Sequence, residues 1–188
     1  MYFKSGDYYK GSHFNGNING YGEYYFRFGE VWKGENISGE KHVVAIKIFK
    51  RSCKEGIINN ELSINAEIKR IAKLTPHTNL VKVLDVDLLS GNSAETLRKT
   101  LVMEFLEGGE LFDRIVNRGS FDEKQAAITI RALASALATI HENNILHRDL
   151  KPENVVYRSQ ADDAPPVIVD FGFGVQANPD PSNNPDDA

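Results

Sequence analysis

Cysteine is almost absent from this chain. Cys53 is the single one, which excludes an internal disulfide framework and fits a reducing compartment. Long apolar runs are also missing, and none approaches the length of a membrane span. The N-terminal stretch MYFKSGDYYK has no apolar centre of the kind a signal peptide needs. A cytoplasmic location is the resulting expectation. Nor is there an excess of positive charge. Lys and Arg total 22 against 26 Asp and Glu, a net charge of −4, which argues against a general nucleic-acid binder. With 188 residues, 41% apolar and 26% charged, the chain reads as soluble and globular, one medium domain or a smaller pair.

What is present begins with glycine and aromatics. Residues 1–40 are dense in both and poor in aliphatics. Tyr9-Lys10-Gly11 recurs as Trp32-Lys33-Gly34 and Gly16 recurs as Gly39, both at a spacing of 23. Aromatics broken by glycine predict short hairpins, with glycine supplying positive φ at turns. The pattern resembles the membrane occupation and recognition nexus (MORN) repeat, covering one unit and the start of a second that breaks at Val43 and Ala45. That resemblance implies a scaffold or membrane adaptor, with membrane contact through residues 1–40. One and a half repeats bury little, however, and the plainer reading is a glycine-rich β-hairpin extension docked on the rest of the chain.

From Val43 the texture changes. His42 to Phe49 is β-rich with a lysine inside it. Asn59 to Leu74 carries Ile64, Ile68, Ile71 and Leu74 at helical spacing. Leu80 to Leu89 and Thr100 to Phe105 predict strands joined by the polar loop Ser90 to Lys99. A short helix over Glu110 to Asn117 is ended by Gly119. Another starts at Asp122, which can cap with Gln125, and runs to His141 with a stripe of Ala127, Ile130, Leu133, Leu137 and Ile140. Beyond it, strands are predicted at Val155 to Tyr157 and Val167 to Val169, around a turn at Asp162 to Pro166. Residues 175–188, rich in Pro, Asn and Asp, are expected to be a disordered tail.

Between the last long helix and the next strand stands His147-Arg148-Asp149-Leu150-Lys151-Pro152-Glu153-Asn154, which puts a carboxylate, an ammonium and an amide within six residues. Asp170-Phe171-Gly172 lies sixteen residues after Asn154. Phosphoryl transfer needs a cation on the phosphates, oxygen ligands for Mg²⁺ and an acceptor for the attacking hydroxyl. A lone lysine or helical glutamate is ordinarily a solvated surface group. The order of these groups is what carries meaning.

Together these motifs resemble the eukaryotic protein kinase domain of the serine/threonine type. The stretch from Gly108 to Asn154 is most similar to the calcium/calmodulin-dependent group, although no EF-hand loop is present. The resemblance implies an α+β bilobal fold, with an antiparallel β N-lobe and one helix to about residue 105, then a partial α-helical C-lobe over 106–174. The domain would start near residue 28. The implied ligands are ATP and Mg²⁺, and the implied substrate is a protein Ser/Thr hydroxyl. Lys47 would contact the phosphates and pair with Glu67, chosen over Glu61. Val31, Ala45, Met103 (gatekeeper), the backbone of Glu104 and Leu106, Glu110 (near the ribose) and Val156 would bind the nucleotide. Asp149 would take or orient the substrate hydroxyl proton, Lys151 would steady the γ-phosphate, and Asn154 and Asp170 would hold the metal. Ile71, Val83, His147 and Phe171 match a stacked apolar column, and Phe173 resembles a serine preference.

Two departures qualify this. Phe28-Gly29-Glu30-Val31 fits the end of the phosphate-covering loop, but Tyr24 and Phe26 stand at its two earlier glycine positions, where rings would obstruct the phosphates. Only sixteen residues come after Gly172, so the peptide platform of the family is expected to be missing. Each apolar side chain left exposed would then forfeit roughly 1.5–3 kcal/mol of burial. The alternative functions are a catalytically impaired kinase-like interaction module (a pseudokinase) and the repeat-based adaptor.

Overall fold

The computed structural model describes residues 8–14, 17–26, 29–35, 43–50, 52–90 and 98–177. It divides into two compact units, one from residues 1–62 and 82–105, the other from 63–81 and 106–188.

The first unit is an antiparallel sheet with part of one helix. Its strands are β1 (Tyr8–Phe14), β2 (Asn17–Phe26), β3 (Gly29–Glu35), β4 (Val43–Phe49), then, after helix α1 (Glu55–Leu74), β5 (Val83–Ser90) and β6 (Arg98–Glu104). The spatial order is β1-β2-β3-β4-β6-β5. The glycine-rich N-terminal stretch therefore continues the same sheet as β4. Gly16 and Gly39 of the 23-residue echo, and the polar loop 91–97, lie outside the described residues.

Helix α1 begins four residues earlier than its periodicity predicts. Ile58 and Leu62 extend the buried face backwards, and Glu55 places a negative charge in the first turn, where the helix dipole favours it. Leu80 and Val81 do not join β5. Leu80 bridges Ile168 and the Val81 N–H donates to the Ile168 carbonyl at 3.1 Å, so both belong to the second unit.

The second unit continues with α2 (Leu111–Arg118), α3 (Glu123–Glu142), β7 (Ile145–Leu146), a 3-10 turn at Pro152–Asn154, β8 (Val155–Tyr157), β9 (Pro166–Ile168) and β10 (Val175–Gln176). Gly119 ends α2 with φ 77°, and Asp122 caps α3 by accepting from the Gln125 N–H at 2.7 Å, both as the sequence predicts. The stripe on α3 has a different phase. Thr129, Leu133, Ala136 and Ile140 are buried, while Ala127 and Ile130 face outward and Leu137 is half-buried. The helix has two apolar rows, and β7 and β9 cover the one containing Leu133. The expected disordered tail also needs correction at its start. Val175 and Gln176 pair antiparallel with Leu146 and Ile145, and the Ala177 N–H donates to Asn144 at 2.7 Å. Residues 178–188 lie outside the described residues.

Candidate active site

In the first unit the ladder brings the candidate nucleotide residues into two rows. Val31 stands opposite Lys47, which stands opposite Leu101; Lys33 stands opposite Ala45, which stands opposite Met103. Directly opposed residues share a face, so Val31, Ala45, Lys47 and Met103 lie on one side of the sheet. Lys47 is 3% exposed, which a lysine tolerates only with a partner. That partner is Glu61, with Nζ to Oε1 at 2.6 Å and both side chains buried.

Glu67 is thus not the carboxylate that pairs with Lys47. It holds Arg70 instead, at 2.6 Å on the surface of α1, and the guanidinium bonded to it keeps its carboxyl below the ordinary range. The reason is helical phase. Six residues separate the two glutamates, about 120° round the helix at 3.6 residues per turn. Ile58, Leu62, Ile64, Asn65 and Ile68 define the buried arc, and Glu61 falls inside it while Glu67 falls at its edge. Glu104 is anchored twice to Lys82, its N–H donating to the Lys82 carbonyl and its Oε1 accepting from the Lys82 N–H, both at 2.9 Å.

The second unit assembles the remaining candidates. Gly108 N–H donates to the Tyr157 carbonyl at 2.8 Å and Tyr157 N–H to Gly109 at 2.9 Å, while Glu110 bridges Val156. The segment just after Leu106 is thereby laid along β8, with Gly109 at φ 74°. A Cβ on Gly108 would collide with the Ser159 carbonyl and with Tyr157. Gly108→Ala is expected to cost about 1–3 kcal/mol of stability, the usual range for overpacking, read as a lower urea midpoint. On α2, burial pushes the Asp113 carboxyl up. A raised folded pKa means the native state favours the protonated form. Its contribution is therefore fully present below the unfolded pKa and is lost as pH rises through the folded one. Asp113→Asn should accordingly raise the melting temperature near neutral pH and lose that advantage on acidification.

Around the catalytic string, His147 is 2% exposed. Its Nε2 meets the Val169 carbonyl at 3.0 Å, its Nδ1 accepts from the Asp149 N–H at 3.2 Å, and its ring lies 4.8 Å from that of Phe171. Asn154 donates from Nδ2 to the Asp149 carbonyl at 2.8 Å and to Asp149 Oδ2 at 3.0 Å. Lys151 Nζ lies 3.0 Å from the same oxygen. The Asn154 carbonyl accepts from the Val169 N–H at 3.0 Å, which draws Asn154 to the residue preceding Asp170. Arg148 and Asp170 hold positive φ, 61° and 58°, a cost of about 1–3 kcal/mol each that persists only where the surroundings enforce it. Ile71, Val83 and Phe171 of the predicted column are buried too.

The donor set suits a hard cation. Asn154 spends its Nδ2 on Asp149, which leaves its side-chain oxygen for a metal, and Asp170 adds a carboxylate.

A family model described as protein kinase domain matches residues 22–186. Calcium/calmodulin-dependent protein kinase type IV of Homo sapiens is 37% identical over 136 residues, which cover 72% of this chain and 26% of that protein. For calcium/calmodulin-dependent protein kinase type 1 of Caenorhabditis elegans the identity is 39% over 146 residues, 78% of this chain and 39% of the relative. Calcium-dependent protein kinase 5 of Plasmodium berghei is 42% identical over 116 residues, 62% of this chain and 19% of the relative. The chain spans well under half the length of each.

Proposed function

The chain belongs to the protein kinase domain family, and from that premise we propose that it is a serine/threonine kinase domain that binds Mg²⁺-ATP and transfers the γ-phosphate to a protein hydroxyl. The observation that carries this reading is the buried Lys47–Glu61 pair at 2.6 Å. A buried ion pair is a costly way to stabilise a sheet, and an ammonium fixed in a strand is a means of holding phosphate oxygens. Mg²⁺, held by Asn154 and Asp170, would supply charge neutralisation. Asp149 accepts or orients the substrate hydroxyl proton, Lys151 steadies the transferred group, and the sheet face of Val31, Ala45 and Met103 receives the base; Glu110 and Val156, bridged to each other, are the other nucleotide-binding candidates. A protein substrate, no nucleic-acid partner and a cytoplasmic setting complete the proposal.

A second reading, nucleotide binding without transfer, is favoured by one feature. β2 and β3 form a hairpin with Phe26 opposite Gly29 and Tyr24 opposite Val31, so aromatic residues occupy the strand that leads into the phosphate-covering turn. The test is Mg²⁺-ATP added to the full-length protein, read as a thermal shift and as phosphate transfer to a Ser/Thr peptide library. A thermal shift with transfer supports kinase activity, and a shift without transfer supports the second reading. No shift, together with no effect of Lys47→Met, removes both.

A further inference from the structure

Lys33 shares the sheet face of the candidate nucleotide residues, in the same cross-strand row as Ala45 and Met103. Its ammonium lies 4.6 Å from the centroid of the Phe105 ring, inside the roughly 6 Å reach of a cation–π contact. Phe105 is the first residue after β6, between the two residues whose backbone groups would meet the base edge. Its neighbour Glu104 is already tied to Lys82 through both main chain and side chain. Two successive residues of the connector are therefore held from other strands or segments, Glu104 by Lys82 and Phe105 by Lys33.

We propose that Lys33, seated on Phe105, is a positioning residue that holds the base-binding connector in register for an adenine nucleotide. This rests on the nucleotide-binding reading above and assigns Lys33 a role distinct from that of Lys47. The two lysines sit in adjacent rows of one face; Lys47 pairs with the Glu61 carboxylate, with the Phe49 ring 5.6 Å from its ammonium, while the Lys33 ammonium lies over the Phe105 ring. Lys47 serves the phosphates and Lys33 serves the base, without touching it.

The two roles separate with partial ligands. Adenosine, Mg²⁺-ATP and Mg²⁺-tripolyphosphate are titrated calorimetrically into the wild-type protein and the variants Lys33→Met, Lys33→Arg, Phe105→Leu and Lys47→Met. Lys33→Met is expected to weaken adenosine and ATP alike by roughly three- to tenfold, the scale of a partly exposed cation–π contact, and to leave tripolyphosphate unchanged. Lys33→Arg, which keeps a cation over the ring, restores adenosine binding. Lys33→Met combined with Phe105→Leu is no weaker than either alone. Lys47→Met shows the converse, losing tripolyphosphate and sparing adenosine. Unchanged adenosine affinity in Lys33→Met overturns the proposal, as does an equal loss for tripolyphosphate, which would make Lys33 a general charge. A wild-type protein that binds neither adenosine nor ATP fails the nucleotide reading itself and removes this proposal with it.

Discussion

Glu61→Ala is expected to lower stability by about 3–5 kcal/mol, the cost of leaving a buried charge without its counter-ion. Against a typical total of about 5–15 kcal/mol that is a third or more of what holds a domain together. Lys47 cannot turn outward to escape, because it lies in the middle of β4, flanked by Val31 on β3 and Leu101 on β6. The decisive control is the double variant Lys47→Met/Glu61→Leu. Replacing both charges by apolar groups removes the desolvation penalty along with the attraction, so this variant should recover most of the loss and can exceed the parent protein. Glu67→Ala, on the surface, should leave the urea midpoint where it was. The nucleotide response should divide differently: the double variant folds well and fails to bind Mg²⁺-ATP. A midpoint in Glu67→Ala as low as that in Glu61→Ala would reassign the lysine's partner. A double variant no better than Glu61→Ala would mean that the pair is not what the sheet depends on.

That contrast also marks how far the sequence could be read. Glu61 and Glu67 each lie three residues from Ile64, so the helical period around Ile64, Ile68 and Ile71 does not choose between them. The choice is made by Ile58 and Leu62, which shift the buried arc towards Glu61. A helix begun at Asn59 leaves Ile58 out, and Leu62 alone then points towards Glu61. On α3 the ambiguity is of the same kind. Ala127 and Ile130 make one apolar row, Leu133, Ala136 and Ile140 another, and only the position of β7 and β9 decides which is covered. The pairing of Val175 and Gln176 with β7 is a non-local event whose local sequence is turn-like, and β propensity says little about such short strands. By contrast, features with a chemical cause at the residue itself were legible. Gly119 takes the positive φ that ends α2, and Asp122 accepts the Gln125 N–H.

Asp149→Asn is expected to reduce phosphate transfer by about 10²–10⁴-fold, the range a positioned general base contributes, while leaving the affinity for Mg²⁺-ATP within experimental error. The geometry gives the reason for the split. Both side-chain contacts of Asp149, from Asn154 Nδ2 and Lys151 Nζ, fall on Oδ2, which leaves Oδ1 to face a hydroxyl. An asparagine keeps the shape and, with its amide oxygen at the Oδ2 position, can accept both contacts, but it loses the negative charge that draws the proton. Asp170→Asn should behave otherwise, because on the proposed reading it would remove a carboxylate from the metal site. Its loss should deepen at low Mg²⁺ and be partly relieved as Mg²⁺ is raised, a titration that Asp149→Asn should not follow. Steady-state transfer and nucleotide binding, each measured across a Mg²⁺ series, separate the two roles. If Asp149→Asn transfers phosphate at the parent rate, the loop from His147 to Asn154 is not where the hydroxyl is activated. If instead it loses nucleotide affinity in step with rate, Asp149 acts by holding Asn154 and Lys151 in place rather than by taking the proton.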